Sequence, residues 1–216
     1  MTMTVSISRC WKRARLDLAA AMACALVLTF GSFPAFAAGP DTGPSEISQL
    51  QVERNPDGVF VSATVRFDLP TPVEDALFKG IPMFFVFEAD VYRERWYWYD
   101  KKLLSAERHM RLAYQPLTRR WRLNLASGPI TSNSLGLALN QNFDSLPDAL
   151  AAVHRVSRWK IAEPGELDPD LKYGMEVRFR LDVSQLPRPF QIGALGQADW
   201  NISATTYQRL IADPGK

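Results

Sequence analysis

The chain has little cysteine and little histidine. Its 216 residues hold two of each, and both cysteines, Cys10 and Cys24, fall within the first 37 positions. If that segment is removed, no disulfide, thiolate metal site or cysteine nucleophile remains, and stability must come from an ordinary apolar core. His109 and His154 stand in different segments with no H-x-x-x-H or comparable spacing, which argues against a zinc site. Long apolar runs are also lacking beyond residue 37, so no transmembrane segment is expected in the mature chain. There is no G-x-S-x-G, S-x-x-K or P-loop, and no long βα alternation of the kind that builds a dinucleotide-binding fold. No metal, cofactor or catalytic residue is assigned.

What is present first is an export signature. Arg9, Lys12, Arg13 and Arg15 form a basic start, Leu18 to Phe30 an apolar run, and Ala35-Phe36-Ala37 a small-residue cleavage site. The run is shorter than the roughly 20 residues that span a bilayer, which disfavours a retained anchor. Cys24 lies inside it rather than after it, which disfavours lipidation. The expected organisation is a signal peptide over 1–37, cleaved after Ala37, a flexible tether over 38–45, and a single domain over 46–212 in the periplasm. The formal charge of +2 falls to about −1 once those four cations and Asp17 are gone, so the overall charge points to no partner.

Period-two alternation dominates the rest. Leu50 and Val52 close a first strand, Asn55-Pro56-Asp57-Gly58 supplies a turn, and Val59, Val61, Ala63, Val65 and Phe67 alternate with polar residues, which predicts a β-hairpin. Thr71-Pro72-Val73-Glu74 has the form of a capping box before a short helix that Gly80 stops. Ile81 to Tyr92 reads as a central strand. Further strands are expected at Trp96 to Tyr99, Arg108 to Tyr114, Trp121 to Leu125, around Trp159 and Ile161, over Met175 to Val183, and through Trp200 to Leu210, with turns at Lys101 to Ala106 and Pro116 to Arg120. Ser145-Leu146-Pro147-Asp148 opens a second short helix. The fold class is mainly β: an antiparallel β-sandwich, Ig-like or a partly closed barrel, of about eight or nine strands with two short helices.

Charge is unevenly placed along the chain. Residues 38–92 are acidic, whereas 93–122 carry Arg93, Arg95, Lys101, Lys102, Arg108, Arg111, Arg119, Arg120 and Arg122 against three acids. Within this basic stretch, aromatic and cationic side chains interleave from Tyr92 to Lys102, followed by Tyr114 and Arg119-Arg120-Trp121-Arg122. Such a band stacks on sugars, binds anionic headgroups or anchors a protein interface; export argues against nucleic acid. The candidate binding residues are Tyr92, Arg93, Arg95, Tyr97, Tyr99, Arg120 and Arg122. Equally, Trp96 and Trp98 would fill the core of a strand whose other face is polar. Glu88 and Asp90, at i and i+2 on one strand face, are the candidate carboxylates for glycoside chemistry, and pairing with cross-strand arginines such as Arg93, Arg95 or Arg108 is the simpler role. His154 suits a helix C-terminus and His109 the polar face of a strand.

Four ordered blocks also carry a resemblance. Val73-Glu74-Asp75-Ala76-Leu77 with Lys79-Gly80-Ile81-Pro82, then Tyr92-Arg93-x-Arg95-Trp96-Tyr97-Trp98, then Tyr114-Gln115-Pro116-Leu117-Thr118-Arg119-Arg120-Trp121, and finally Leu186-Pro187-Arg188-Pro189-Phe190-Gln191-Ile192-Gly193 resemble an exported proteobacterial family catalogued as domain of unknown function 4390. The resemblance spans essentially the whole mature chain and brings no activity with it. It implies a periplasmic accessory role by neighbourhood, since genes of that family are associated with a membrane sensor histidine kinase of the nitrogen-regulation type. The expectation is a non-enzymatic interaction module that meets an envelope protein or an anionic envelope surface through the basic aromatic band. The alternative is a carbohydrate-active enzyme or glycan binder using Glu88 or Asp90.

Overall fold

The hairpin at Asn55-Pro56-Asp57-Gly58 opens the fold of this computed structural model, which describes residues 45–93, 101–131, 138–168, 171–194 and 196–210. Strands β1 (Glu46–Asn55) and β2 (Gly58–Arg66) pair antiparallel with Asn55 opposite Gly58. The Asn55 side chain accepts from the Asp57 N–H at 3.0 Å, and Gly58 takes a φ of +128°. A Cβ there would also lie 2.3 Å from the Ala162 carbonyl oxygen, so close packing as well as turn geometry demands glycine.

Helix α1 (Thr71–Phe78) buries Val73, Ala76 and Leu77 and ends where Gly80 adopts a φ of +83°. Its cap differs from the expected box: Pro70 is the N-cap, its carbonyl accepts from Val73 and Glu74, and the Thr71 hydroxyl makes no capping bond. Then follow β3 (Met83–Arg93), β4 (Lys101–Gln115), β5 (Arg120–Ala126), β6 (Leu139–Phe143), helix α2 (Leu146–Val153), β7 (Arg155–Ala162), β8 (Tyr173–Leu181), helix α3 (Arg188–Ala194) and β9 (Ser203–Leu210). Ser145 caps α2 as expected, its hydroxyl accepting from the Asp148 N–H.

Two sheets result, of order β1-β2-β7 and β6-β5-β4-β3-β8-β9, with every pairing antiparallel. The architecture is a two-sheet β-sandwich, not a closed barrel. Strand β3 is central, as expected: Phe85 lies between Met110 and Leu181, and Phe87 between Arg108 and Phe179. The inner face of the large sheet presents Met83, Phe85, Phe87, Met110, Leu112, Val177 and Phe179, and the small sheet answers with Val61, Ala63, Val65 and Val156. Rings of Phe67, Phe85, Phe87 and Phe179 meet at the centre of this core.

Three sequence expectations change. Lys101 to Ala106, expected as a turn, is strand, because Leu104 and Ala106 pair with Val91 and Ala89 on the inner face while Ser105 faces Asp90 on the outer one. Strand β6 and helix α3 were not anticipated. The first is an exposed edge, and the second has prolines at its start and a glycine near its end, so neither carries a periodic apolar signal. The expected signal peptide, the tether up to residue 44, the strand from Trp96 to Tyr99, and residues 211–212 lie outside the described residues. Among the described residues no helix is long and apolar enough to cross a membrane.

Candidate functional site

Alternation sends every second residue of β3, β4, β8 and β9 to the outer face of the six-stranded sheet, and there the register assembles charges from distant parts of the chain. Glu88 of β3 stands opposite Arg178 of β8 and Glu107 of β4. Arg178 Nη1 donates to Glu88 Oε2 at 3.0 Å and Nη2 to Glu176 Oε1 at 2.6 Å, while Arg180 donates from Nε and Nη2 to Glu88 Oε1 at 3.0 and 2.8 Å. Beside it, Asp90 is 6% exposed and takes Lys102 Nζ at 2.6 Å, Ser105 Oγ at 2.6 Å and the Tyr92 hydroxyl at 3.4 Å. Burial pushes the Asp90 carboxyl upward, but the bonds from Lys102 and Ser105 and the charges of Lys102 and Arg178 outweigh it and hold the group below its ordinary value. Glu88 and Asp90 therefore have cationic partners, as the simpler sequence reading held, but the partners are Arg178, Arg180 and Lys102. Arg108, one of those named from sequence, points to the opposite side of the sheet, its guanidinium 5.5 Å above the Trp159 ring.

Along the same outer face, toward β5 and β6, the balance changes. Arg111 of β4 faces Asn124 of β5, and Arg122 sits one step diagonally from it, opposite Ala113 and Asn142. Arg111 Nη1 donates to Asn124 Oδ1 at 3.4 Å, Arg122 Nε donates to Asn142 Oδ1 at 3.4 Å, and Asn124 in turn donates its amide to Asn140. Asn124 is buried and Arg111 half-buried. Among the described residues neither arginine has a carboxylate within 4.0 Å. Burial, reinforced by the neighbouring charge of Arg122, lowers the Arg111 pKa from its usual value. Two adjacent cations that donate to neutral amides have the chemistry to bind an oxyanion.

The expected band is divided by this geometry. Tyr92 and Arg93 end β3 opposite Lys102 and Lys101, whereas Arg120 and Arg122 pair with Gln115 and Ala113 at the far end of β4. Eleven residues of strand separate Lys102 from Ala113, about 36 Å at the usual rise. Arg120 makes an exposed ion pair with Asp144 at 3.2 Å. Arg95, Tyr97 and Tyr99 lie outside the described residues.

Residues 43–210 match the family described as Domain of unknown function (DUF4390). The chain belongs to that family. Of the blocks that carry the resemblance, the first forms α1 and its exit into β3, the third forms the β4–β5 hairpin, and the fourth forms α3 with its approach. No curated protein and no solved structure matches the chain.

The two histidines take structural positions. His109 is 5% exposed on the outer face, its Nε2 at 2.9 Å from Glu107 Oε2 and its Nδ1 buried without a partner. His154 is the C-cap of α2, yet burial lowers its pKa against the opposing charge of Asp68, and its ring stands edge-on to Phe67 at 4.5 Å. Burial thus favours the neutral ring over the cation that a helix terminus would favour. No group of three or more His, Cys, Asp or Glu side chains among the described residues is placed to hold a metal ion. Sequence reasoning missed Arg111, Asn124, Asn140 and Asn142; the one available signal was the alternation of β4 and β5, which places Arg111, Arg122 and Asn124 on a single face.

Proposed function

We propose that the protein is a non-catalytic accessory module of the periplasm that contacts an anionic envelope surface through the outer face of its six-stranded sheet. The observation that carries this reading is the Arg111–Arg122 pair, half-buried at Arg111 and without a carboxylate among the described residues. Like charges held side by side in a partly desolvated site repel, and an oxyanion relieves that repulsion while accepting from both guanidinium forks and the flanking amides. Tyr92, at the other end of the face beside Lys102, supplies a second point of contact, as the basic aromatic band suggested, whereas alternation turns Arg93 to the opposite face. An acidic envelope protein, such as the external part of the sensor kinase suggested by the family resemblance, offers the same chemistry.

Glycoside hydrolysis at Glu88 or Asp90 is less well supported. A general acid needs a raised pKa, whereas that of Asp90 is lowered, and both carboxylates project from one face of one strand rather than from opposite sides of a substrate.

Co-sedimentation with phosphatidylglycerol vesicles, against phosphatidylcholine vesicles, tests the proposal. The wild type should bind the anionic vesicles in a salt-sensitive manner, and Arg111→Gln/Arg122→Gln should lose at least tenfold. Equal binding to both lipids, or a double variant that binds as the wild type does, would overturn it. If only a protein from envelope extract is retained, and retention depends on the same two arginines, the anionic partner is that protein and the vesicle assignment falls.

A further inference from the structure

The small sheet covers only part of the large one. Between β7 and the β4–β5–β6 end a groove of about 610 Å³ stays open, with α2 along one side. Its two cations are Arg108 of β4 and Arg155 of β7; its apolar surface comes from Leu125, Leu139, Ala151 and Ala152; its remaining lining is neutral, with no carboxylate. Arg108 is half-buried, and desolvation lowers its pKa. Its guanidinium is braced over the Trp159 ring, so the fork is positioned by stacking rather than by a counter-ion. Neither arginine has a carboxylate within 4.0 Å among the described residues. Leu139, on the edge strand, is 63% exposed beside them. An apolar floor with cations and no acid is complementary to a molecule that is apolar at one end and anionic at the other, and the volume lies in the range of small-molecule sites.

The geometry points to this groove as a binding site for an amphiphilic anion: an acyl chain along Leu125, Leu139, Ala151 and Ala152, ending in a carboxylate or phosphate held by Arg108 and Arg155. The site lies on the inner side of the large sheet, away from the Arg111–Arg122 patch, and stands or falls independently of it.

Calorimetric titration of the purified protein with laurate and with dodecyl phosphate, both below micelle formation, is the test. Saturable binding of one molecule per chain is expected. Acetate, which has the charge without the chain, and dodecanol, which has the chain without the charge, should each bind at least tenfold more weakly. Arg155→Gln and Leu139→Asp change exposed positions and should leave thermal unfolding unchanged while weakening laurate at least tenfold; Arg108→Gln should do the same to affinity even if it also costs stability. Phosphatidylglycerol vesicles distinguish the sources of the ligand. If Arg155→Gln and Leu139→Asp reduce vesicle binding in an Arg111→Gln/Arg122→Gln background, the occupant is a bilayer lipid; if they affect only laurate, it is a free acid. Absence of saturable laurate binding, or laurate binding unchanged in Arg155→Gln and Leu139→Asp, would overturn the proposal.

Discussion

Replacing Phe179 by alanine tests the register of the large sheet at its centre. Phe179 is fully buried, between Phe87 of β3 and Ala204 of β9 in the ladder. Its ring has centroid distances of 4.8 Å to Phe87, 5.2 Å to Phe67 and 5.8 Å to Phe85. Truncating a packed phenylalanine costs about 3 to 5 kcal/mol, the upper end applying where the surroundings cannot collapse. Here the backbone is hydrogen-bonded on both sides and three rings are left facing a void, so about 4 to 5 kcal/mol is expected. With a urea dependence of about 2 kcal/mol per molar, the unfolding midpoint should fall by about 2 M with little change in slope. That loss is a large share of the roughly 5 to 15 kcal/mol available to a domain. A midpoint shift under about 0.5 M at unchanged slope would mean that the ring does not sit in the core, and the inner and outer faces of β8 would have to be exchanged.

Arg180→Ala, on the opposite face of the same strand, should cost about 1 to 2 kcal/mol in the same assay rather than the few tenths of a free surface residue, because Glu88 would remain largely buried with only Arg178 to neutralise it. Gly58→Ala should lower stability by about 3 kcal/mol in thermal melts, since both the positive φ and the Ala162 carbonyl oppose a Cβ. The Asp90 pKa is lower in the folded than in the unfolded chain, so its contribution is present above the ordinary value of 3.8 and is lost as pH falls through the folded value; Asp90→Asn should show a flatter acid limb in stability measured against pH. For His154 the folded pKa is also the lower one, so the unfolded chain takes up the proton first and stability should begin to decline as pH falls below the ordinary 6.5; His154→Phe should remove that slope by urea unfolding between about pH 7 and 5.5.

Much of the fold was legible because alternation is a local property. The hairpin at Asn55–Gly58, the central place of β3, the two capped or proline-started helices and the two faces of β8 each follow from a handful of adjacent residues. The failures have a common cause. Lys101 to Ala106 looks like a turn because it is charged and small, yet five ladder positions against β3, from Ala89–Ala106 to Arg93–Lys101, hold it extended, so tertiary pairing overrides propensity. Strand β6, Leu-Asn-Gln-Asn-Phe, has only Leu139 and Phe143 as apolar residues, with Gln141 between them on the same face, and is strand because β5 offers it an edge. Helix α3 begins between prolines and is held partly by the Gln191 amide, which donates to the carbonyls of Ser184 and Leu186. Such a contact leaves no periodic trace in sequence.

The candidate site was harder to read than the fold, because a charge is functional or structural according to its neighbours, and those come from other strands. Arg178 and Arg180 look like solvent-facing cations in a clean alternating strand, but their partner Glu88 lies about ninety residues earlier and neutralises them. Arg111 and Arg122 look no different in sequence, yet the strands beside them offer asparagines instead of acids. The same step of reasoning separates the basic band. Residues close in sequence, such as Arg93 and Lys102, stay together at one end of the β3–β4 ladder, whereas Arg120 and Arg122 return on β5 at the other end of β4. Antiparallel pairing thus converts one basic stretch of sequence into two separate patches and assigns counter-ions to other arginines. Arg111 beside Arg122 on the outer face and Arg108 beside Arg155 in the groove each join a half-buried guanidinium to a second cation with no carboxylate within 4.0 Å among the described residues, which is why the two proposals rest on them; a charge-preserving Arg122→Lys, which keeps the cation but loses the planar fork, should weaken anion binding less than Arg122→Gln does.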